Sequence, residues 1–147
     1  MTKLKLRDYE PLDYLAIDVS EQEMRHRLGQ PLARHALFHK LGLCYTAVDP
    51  EGRIVACGGL HRVWSGVGEL WLVVSPLARE YPYILVAWRN ILAGWLQWHH
   101  RVQATVDPQW PEAVRLVEHF GFRAEGLMHR HGAHGEDEML YALVKEE

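Results

Sequence analysis

No stretch of this sequence is long and apolar enough to cross a membrane, and its start lacks the apolar run of a secretory leader. The richest apolar region is interrupted by Arg89, Asn90 and Gln97. Cysteine is scarce: Cys44 and Cys57 are the only two, which excludes a disulfide scaffold and points to buried thiols in a reducing compartment. Positive charge is not in excess, since 16 Lys and Arg stand against 19 Asp and Glu for a formal charge of −3. The basic start (Lys3, Lys5, Arg7) alternates with Leu4 and Leu6 as a strand does, so nucleic acid is not an expected partner. Walker and dinucleotide fingerprints, repeats and low-complexity segments are also absent. Gly58-Gly59 is too short to cradle phosphate and reads as a strand bulge or a point of close backbone packing. The expected location is the cytoplasm.

Hydrophobic residues at 48% and charged ones at 24% are the balance of an ordered globular chain rather than a disordered one. At this length one domain, residues 1–147, can bury roughly 70% of the surface of its unfolded chain. Leu4, Leu6 and Tyr9 suggest a first strand at about 3–7. Ser20 with Glu23 forms a capping box that opens a short helix ended by Gly29, and Pro31 opens another closed by Gly42. Leu43–Val48 and Arg53–Leu60 flank the turn residues Asp49-Pro50-Glu51-Gly52 and predict a hairpin. Gly68–Val74 contains a continuous apolar run suited to a central strand. A helix over 82–98, a strand at Val102–Val106, a helix from Pro111 to Phe120 ended by Gly121, and strands near 122–131 and 137–145 complete an α/β order.

With a four-residue hairpin loop, the antiparallel ladder sets Cys44 opposite Cys57, which makes a cross-strand disulfide geometrically conceivable, while a reducing compartment favours two thiols over the bridge. His35 and His39 share a helix face, and His129, His131 and His134 cluster near the last turn. Neither group brings three or four ligands with second-shell support, so no metal site is expected. Trp88, Ile91, Leu92, Trp95 and Trp98 recur at helical spacing with Ile84 and Leu85 as a core stripe. The polar strip left on that helix (Arg89, Asn90, Gln97) is narrow, so part of the 82–98 helix is expected to meet a protein partner or a second copy.

Two longer motifs stand out. Trp110-Pro111-Glu112-Ala113-Val114-Arg115-Leu116-Val117-Glu118-His119-Phe120-Gly121-Phe122 follows, without gaps, the frame Asn-x-x-Ala-x-x-Leu-Tyr-x-x-x-Gly-Phe. It continues as Arg123-Ala124-Glu125-Gly126 and closes with Asp137-Glu138-Met139-Leu140-Tyr141-Ala142-Leu143. Gly68-Glu69-Leu70-Trp71-Leu72-Val73-Val74-Ser75-Pro76 is a strand with a Val-x-Pro ending. In both, and in element order from about Leu43 onward, the sequence resembles the GNAT (Gcn5-related N-acetyltransferase) superfamily. The resemblance implies a mixed, mostly antiparallel sheet of about six or seven strands flanked by about four helices. It also implies an acetyl-CoA site in which Leu72, Val73 and Val74 line the thioester side and Arg79 belongs to the pyrophosphate loop. Glu69 is then the catalytic base for an acceptor amine.

In the superfamily the loop after Val-x-Pro has the form Gln/Arg-x-x-Gly-x-Gly/Ala, and its bare amides hold the pyrophosphate at a helix N-terminus. Here the loop is Arg79-Glu80-Tyr81-Pro82-Tyr83-Ile84. Pro82 has no N–H to offer, and Ile84 puts a branched side chain at the second glycine position. The family's Tyr and Asn positions fall at Val117 and Trp110, which cannot supply a phenol or an amide. No cofactor is therefore expected. Among GNAT-like sequences, Leu70-Trp71-Leu72-Val73-Val74-Ser75 without a glycine loop most resembles the internal virion proteins of short-tailed bacteriophages. That resemblance implies a non-catalytic role in phage particle assembly, with host cytoplasm or virion as the location. The alternative is an acetyl-CoA-dependent N-acetyltransferase acting on a small amine or a protein amino group.

Overall fold

Alternating, β-branched and aromatic segments form seven strands among the residues described by the computed structural model, 3–27 and 42–146. These are β1 Lys5–Asp8, β2 Gly42–Val48, β3 Ile54–Trp64, β4 Val67–Val74, β5 Arg101–Val106, β6 Arg123–Met128 and β7 Glu138–Val144. They form one sheet in the order β1-β2-β3-β4-β5-β7-β6, with the apolar β4 in the middle. The β1–β2, β2–β3, β5–β7 and β6–β7 pairs are antiparallel, and β4–β5 is parallel. A parallel pair needs a long crossover. That crossover contains a 3₁₀ turn, Pro76–Glu80, and a long helix. The helices are α1 Pro11–Ala16, α2 Glu21–Arg27, α3 Ile84–Leu96 and α4 Pro111–His119. This is the mixed, mostly antiparallel α/β architecture that the sequence predicts.

Local signals set the helix ends. Ser20 Oγ accepts a hydrogen bond from Glu23 N at 3.2 Å and so caps α2. Pro111 sits in the first turn of α4. Gly121 adopts φ +90° and donates its N–H to Glu118 O, while Phe122 N bonds Val117 O, closing the helix with a left-handed residue. The predicted helix from Pro31, with Gly29, His35 and His39, lies outside the described residues. The long helix is shorter than the predicted 82–98 span. It ends at Leu96 because Gln97 N and Trp98 N turn back onto Gly94 O and Trp95 O, three residues earlier. Ile84, Trp88, Leu92 and Trp95 are buried as the stripe requires, but Trp98 falls beyond the helix and is 81% exposed.

The chain divides into two compact units, Met1–His61 with Leu70–Ala87 and Arg62–Glu69 with Trp88–Glu147. The core of the first is built from Tyr9, Tyr14, Ile17, Cys44, Cys57 and Val73, with Trp71 packed against it and its indole 4.9 Å, edge-on, from the Tyr9 ring. Its N-terminal segment is pinned by Asp13, which is buried. The Asp13 carboxylate accepts from both Arg7 guanidinium nitrogens at 2.8 Å, from Glu10 N at 2.9 Å and from Thr46 Oγ1 at 2.7 Å. Burial alone raises the Asp13 pKa, but the hydrogen bonds from Arg7, Glu10 and Thr46 and the charge of Arg7 hold it below the usual carboxylate range. In the second unit Trp88, Leu92, Trp95, Val102, Ala104, Val106, Val117, Phe122, Tyr141 and Ala142 are buried.

Cys44 does not face Cys57. A bulge between Ala47 and Val48 sets Val48 opposite Ile54 and Ala47 opposite Ala56, so Cys44 pairs with Gly59 and Cys57 with Thr46. The two residues are therefore diagonal neighbours, with Cα atoms roughly 7–8 Å apart, beyond the usual span of a disulfide. Both are buried thiols. Burial pushes Cys44 up to about 11, partly offset by a hydrogen bond from Trp71. Gly58 and Gly59 serve close packing rather than a bulge. A methyl on Gly58 would meet the Trp71 carbonyl, and one on Gly59 would meet the Leu43 carbonyl and Cys44.

Candidate functional site

In the first unit the candidate cofactor residues lie on the second half of β4 and the turn after it. Alternation along the strand separates their side chains. Val73 is part of the hydrophobic core, while Leu72 and Val74 are half-buried. What Val73 can present to a ligand is its main chain. Arg79 is the penultimate residue of the 3₁₀ turn, with its side chain exposed.

That turn is organised by Ser75-Pro76, an N-cap followed by proline in the first turn, which is a signal readable in the sequence. Ser75 is buried. Its Oγ accepts from Leu77 N at 3.2 Å, its carbonyl accepts from Ala78 N at 3.0 Å, and its own N–H reaches Val55 O at 2.9 Å. Four of the amides that follow are taken up in the same manner. Tyr81 N bonds Ala78 O, Ile84 N bonds Tyr81 O, Leu85 N bonds Pro82 O and Val86 N bonds Tyr83 O. A helix start ordinarily leaves its first amides for water, a cap or an anion. Here short-range carbonyls occupy those of Ile84, Leu85 and Val86, and Pro82 has none. Ile84 is buried, so its side chain belongs to the interior.

A cluster that the sequence did not announce fixes this turn to the β2–β3 loop. Asp49, buried, accepts from Glu51 N at 3.0 Å, Arg53 N at 2.8 Å, Arg53 Nε at 2.7 Å and the Tyr81 hydroxyl at 3.4 Å. Arg53 also reaches Glu80 at 3.6 Å. Burial would raise the Asp49 pKa, but the hydrogen bonds and charge of Arg53 hold it low. Burial and then the Asp49 charge push the Tyr81 phenol up. Glu80 thus adds a carboxylate beside the turn and shares the one guanidinium that neutralises Asp49.

Glu69 belongs to the second unit. It is half-buried and stands opposite Gln103, the last of three parallel β4–β5 pairs that begin with Val67↔Arg101. β5 pairs with β7 along its whole length, Arg101↔Val144 to Val106↔Met139. Trp110 is the N-cap of α4 and caps it with no side-chain hydrogen bond, and Val117 is buried. Near the last turn, His131 Nδ1 lies 2.7 Å from Glu138 and His129 lies 3.7 Å from Asp137. Among the described residues no group of three or more His, Cys, Asp or Glu is arranged to hold a metal ion.

The architecture can be set beside solved structures. A GNAT-family acetyltransferase from Bacillus anthracis superposes with a TM-score of 0.71 at 21% identity, over 98% of this chain and 96% of that one. The chain has the GNAT fold. A ribosomal-protein-S5-alanine acetyltransferase from Vibrio fischeri gives 0.71 at 18% identity, covering 98% and 94%. The spermidine N-acetyltransferase of Vibrio cholerae in complex with CoA and spermine gives 0.73 at 15%, covering 97% and 95%. No protein-family model and no curated protein matches the sequence. At these identities the likeness concerns the GNAT scaffold, and one scaffold hosts many functions.

Proposed function

We propose that this protein uses the GNAT fold to make protein contacts rather than to transfer acetyl groups, in the particle or the assembly of a short-tailed phage. The main support is the amide accounting at the start of α3. Ile84, Leu85 and Val86 donate to carbonyls of the same turn, Pro82 donates nothing, and Glu80 stands nearby. A diphosphate there finds few donors and one extra negative charge, so the turn does not fit the cofactor's phosphates. Each charge-assisted hydrogen bond forgone is worth roughly 1.5–3 kcal/mol, enough in sum to weaken binding by several orders of magnitude. The surface offered to a partner includes the exposed face of α3, with Val86, Asn90 and Ala93.

Thermal unfolding with millimolar acetyl-CoA tests this directly. A ligand at a hundred times its dissociation constant stabilises a fold by about 2.7 kcal/mol, roughly 5–12 °C for a chain of this size. No rise is expected. A rise that free CoA competes away overturns the proposal. Val86→Glu and Ala93→Glu should abolish self-association or partner binding if the α3 face is the surface used.

The second reading is an acetyl-CoA-dependent N-acetyltransferase for a small amine or a protein amino group, with Glu69 as base. It is favoured by the short β4–β5 ladder, which takes in only Val67, Gly68 and Glu69, and by the acetyltransferases that share the scaffold. Glu69→Gln discriminates: on this reading it keeps acetyl-CoA binding and loses turnover.

A further inference from the structure

Strand β6 closes the sheet beside β7, and among the described residues no strand pairs with its other side. Its residues 123–127 are all exposed, Leu127 at 42%. Such an edge offers unpaired main-chain N–H and C=O groups to any strand that meets it. The β6–β7 ladder is broken at one point. Arg123 stands opposite Ala142 and Ala124 opposite Tyr141, but Leu140 meets Gly126, so Glu125 has no partner on β7. It is an inserted residue, because Tyr141 and Leu140 are consecutive and the pairs on both sides run in register without it. A bulge of this kind bends its strand, increases the local twist and interrupts the pairing edge.

Glu125 is also anchored. Its carboxylate accepts from Arg101 Nη1 at 3.0 Å and Nη2 at 2.6 Å, a two-pronged pair. Arg101 belongs to β5 and β7 lies between β5 and β6, so the pair reaches over a whole strand. The guanidinium is itself oriented by Gln103, whose Oε1 accepts from Arg101 Nε at 3.0 Å. The hydrogen bond from Arg101, and then its charge, hold the Glu125 carboxyl below the usual carboxylate range. Stability of the single chain does not account for this arrangement. A pair whose side chains are 23% and 40% exposed adds little, and a residue inserted in a strand leaves the ladder locally disrupted. What it serves is the edge, where natural sheets set bulges and charges against unwanted pairing. A second copy brings an identical strand, and two such strands can pair antiparallel about a two-fold axis.

We propose that the Glu125 bulge, held in place by Arg101, is a guard that keeps β6 from pairing with the β6 of a second copy. It confines any association of the chain to other surfaces, and it stands whether or not acetyl-CoA binds. Deleting Glu125 tests it, because the deletion leaves every other β6–β7 pair in register and presents an unbroken edge. Sedimentation velocity on the full chain should show the deletion variant self-associating at least about tenfold more tightly than the parent. Adding Leu127→Lys to the deletion should reverse the gain, since lysine on an edge strand opposes pairing. Val86→Glu, on the exposed face of α3, should leave the gain intact. Arg101→Met, which does not alter β6, should shift association in the same direction by a smaller factor. A cooperative thermal transition establishes that the deletion variant is folded; if it is not, Glu125→Val, which keeps the chain length and removes the ion pair, is judged by the same criteria. A folded variant that associates no more than the parent overturns the proposal. So does a gain that survives Leu127→Lys or is abolished by Val86→Glu, and so does a parent dimer that Leu127→Lys alone dissolves.

Discussion

Replacing Asp13 by alanine removes one acceptor from four donors at once. Two come from Arg7, which is 43% exposed, so solvent screens that pair and it contributes about 1 kcal/mol. Thr46 is fully buried, and its hydroxyl would lose its acceptor at a cost of about 1 kcal/mol or more. The Glu10 amide, which starts α1, adds on the order of 1 kcal/mol. The sum is about 3 kcal/mol, a fall in the urea midpoint of about 1.5 M. Arg7→Ala should cost about 1 kcal/mol by the same reasoning. The pH dependence has a definite sign. The folded Asp13 pKa lies below its unfolded value, so its contribution is fully present above the ordinary carboxylate value and is lost as pH falls through the lower folded one. Asp13→Ala should therefore flatten the acid limb of a stability profile measured by urea unfolding. A loss below about 1 kcal/mol, or an acid limb that is unchanged, would refute the account of how the N-terminal segment is held.

Thiol chemistry gives a second check. With Cys44 pushed up to about 11 and both cysteines buried, a disulfide exchange reagent at neutral pH should titrate neither thiol in the native protein within the time that it labels both in denaturant. Rapid native labelling contradicts the burial described. Restoring glycine at the turn should be costly, because Ile84→Gly removes a buried side chain and adds a flexible residue at a helix start. The expected loss is about 3–5 kcal/mol by chemical denaturation, and a loss under about 1 kcal/mol would show that the residue is not part of the interior.

Much of the fold was legible because its signals are local. Pro111 and Gly121 bound a helix, Ser20 caps another, and the apolar run of β4 could only be central. Register was not legible in the same manner. The hairpin loop reads as four residues from Pro50 and Gly52, yet the Asp49 carboxylate takes the amides of Glu51 and Arg53 and the ladder starts at Ile54, one residue late; the bulge between Ala47 and Val48 adds a second, so Cys57 is shifted by two positions. An Asp before Pro-x-Gly is an Asx-turn signal and could have warned of it. Trp98 fits the helical spacing of the core stripe, but spacing does not say where hydrogen bonding lapses, and α3 gives out two residues earlier. At the candidate site, the missing glycines were visible in the letters. The capture of the Ile84, Leu85 and Val86 amides by carbonyls three residues earlier depends on a local geometry that the letters do not state, and the fastening of Tyr81 by Asp49 depends on a contact made across the fold.

The glycine pair in β3 bears on how such a protein changes over generations. From Val55 to Leu60 every residue is enclosed, and at Gly58 and Gly59 even one added carbon collides with a neighbouring main chain. That stretch admits almost no new letters, so drift is channelled to the rims and loops. A scaffold anchored in this manner can hold one geometry with very different text, and this chain shares only 15–21% identity with structures of the same fold. Likeness of fold of this kind is therefore visible in three dimensions where the letters record little of it.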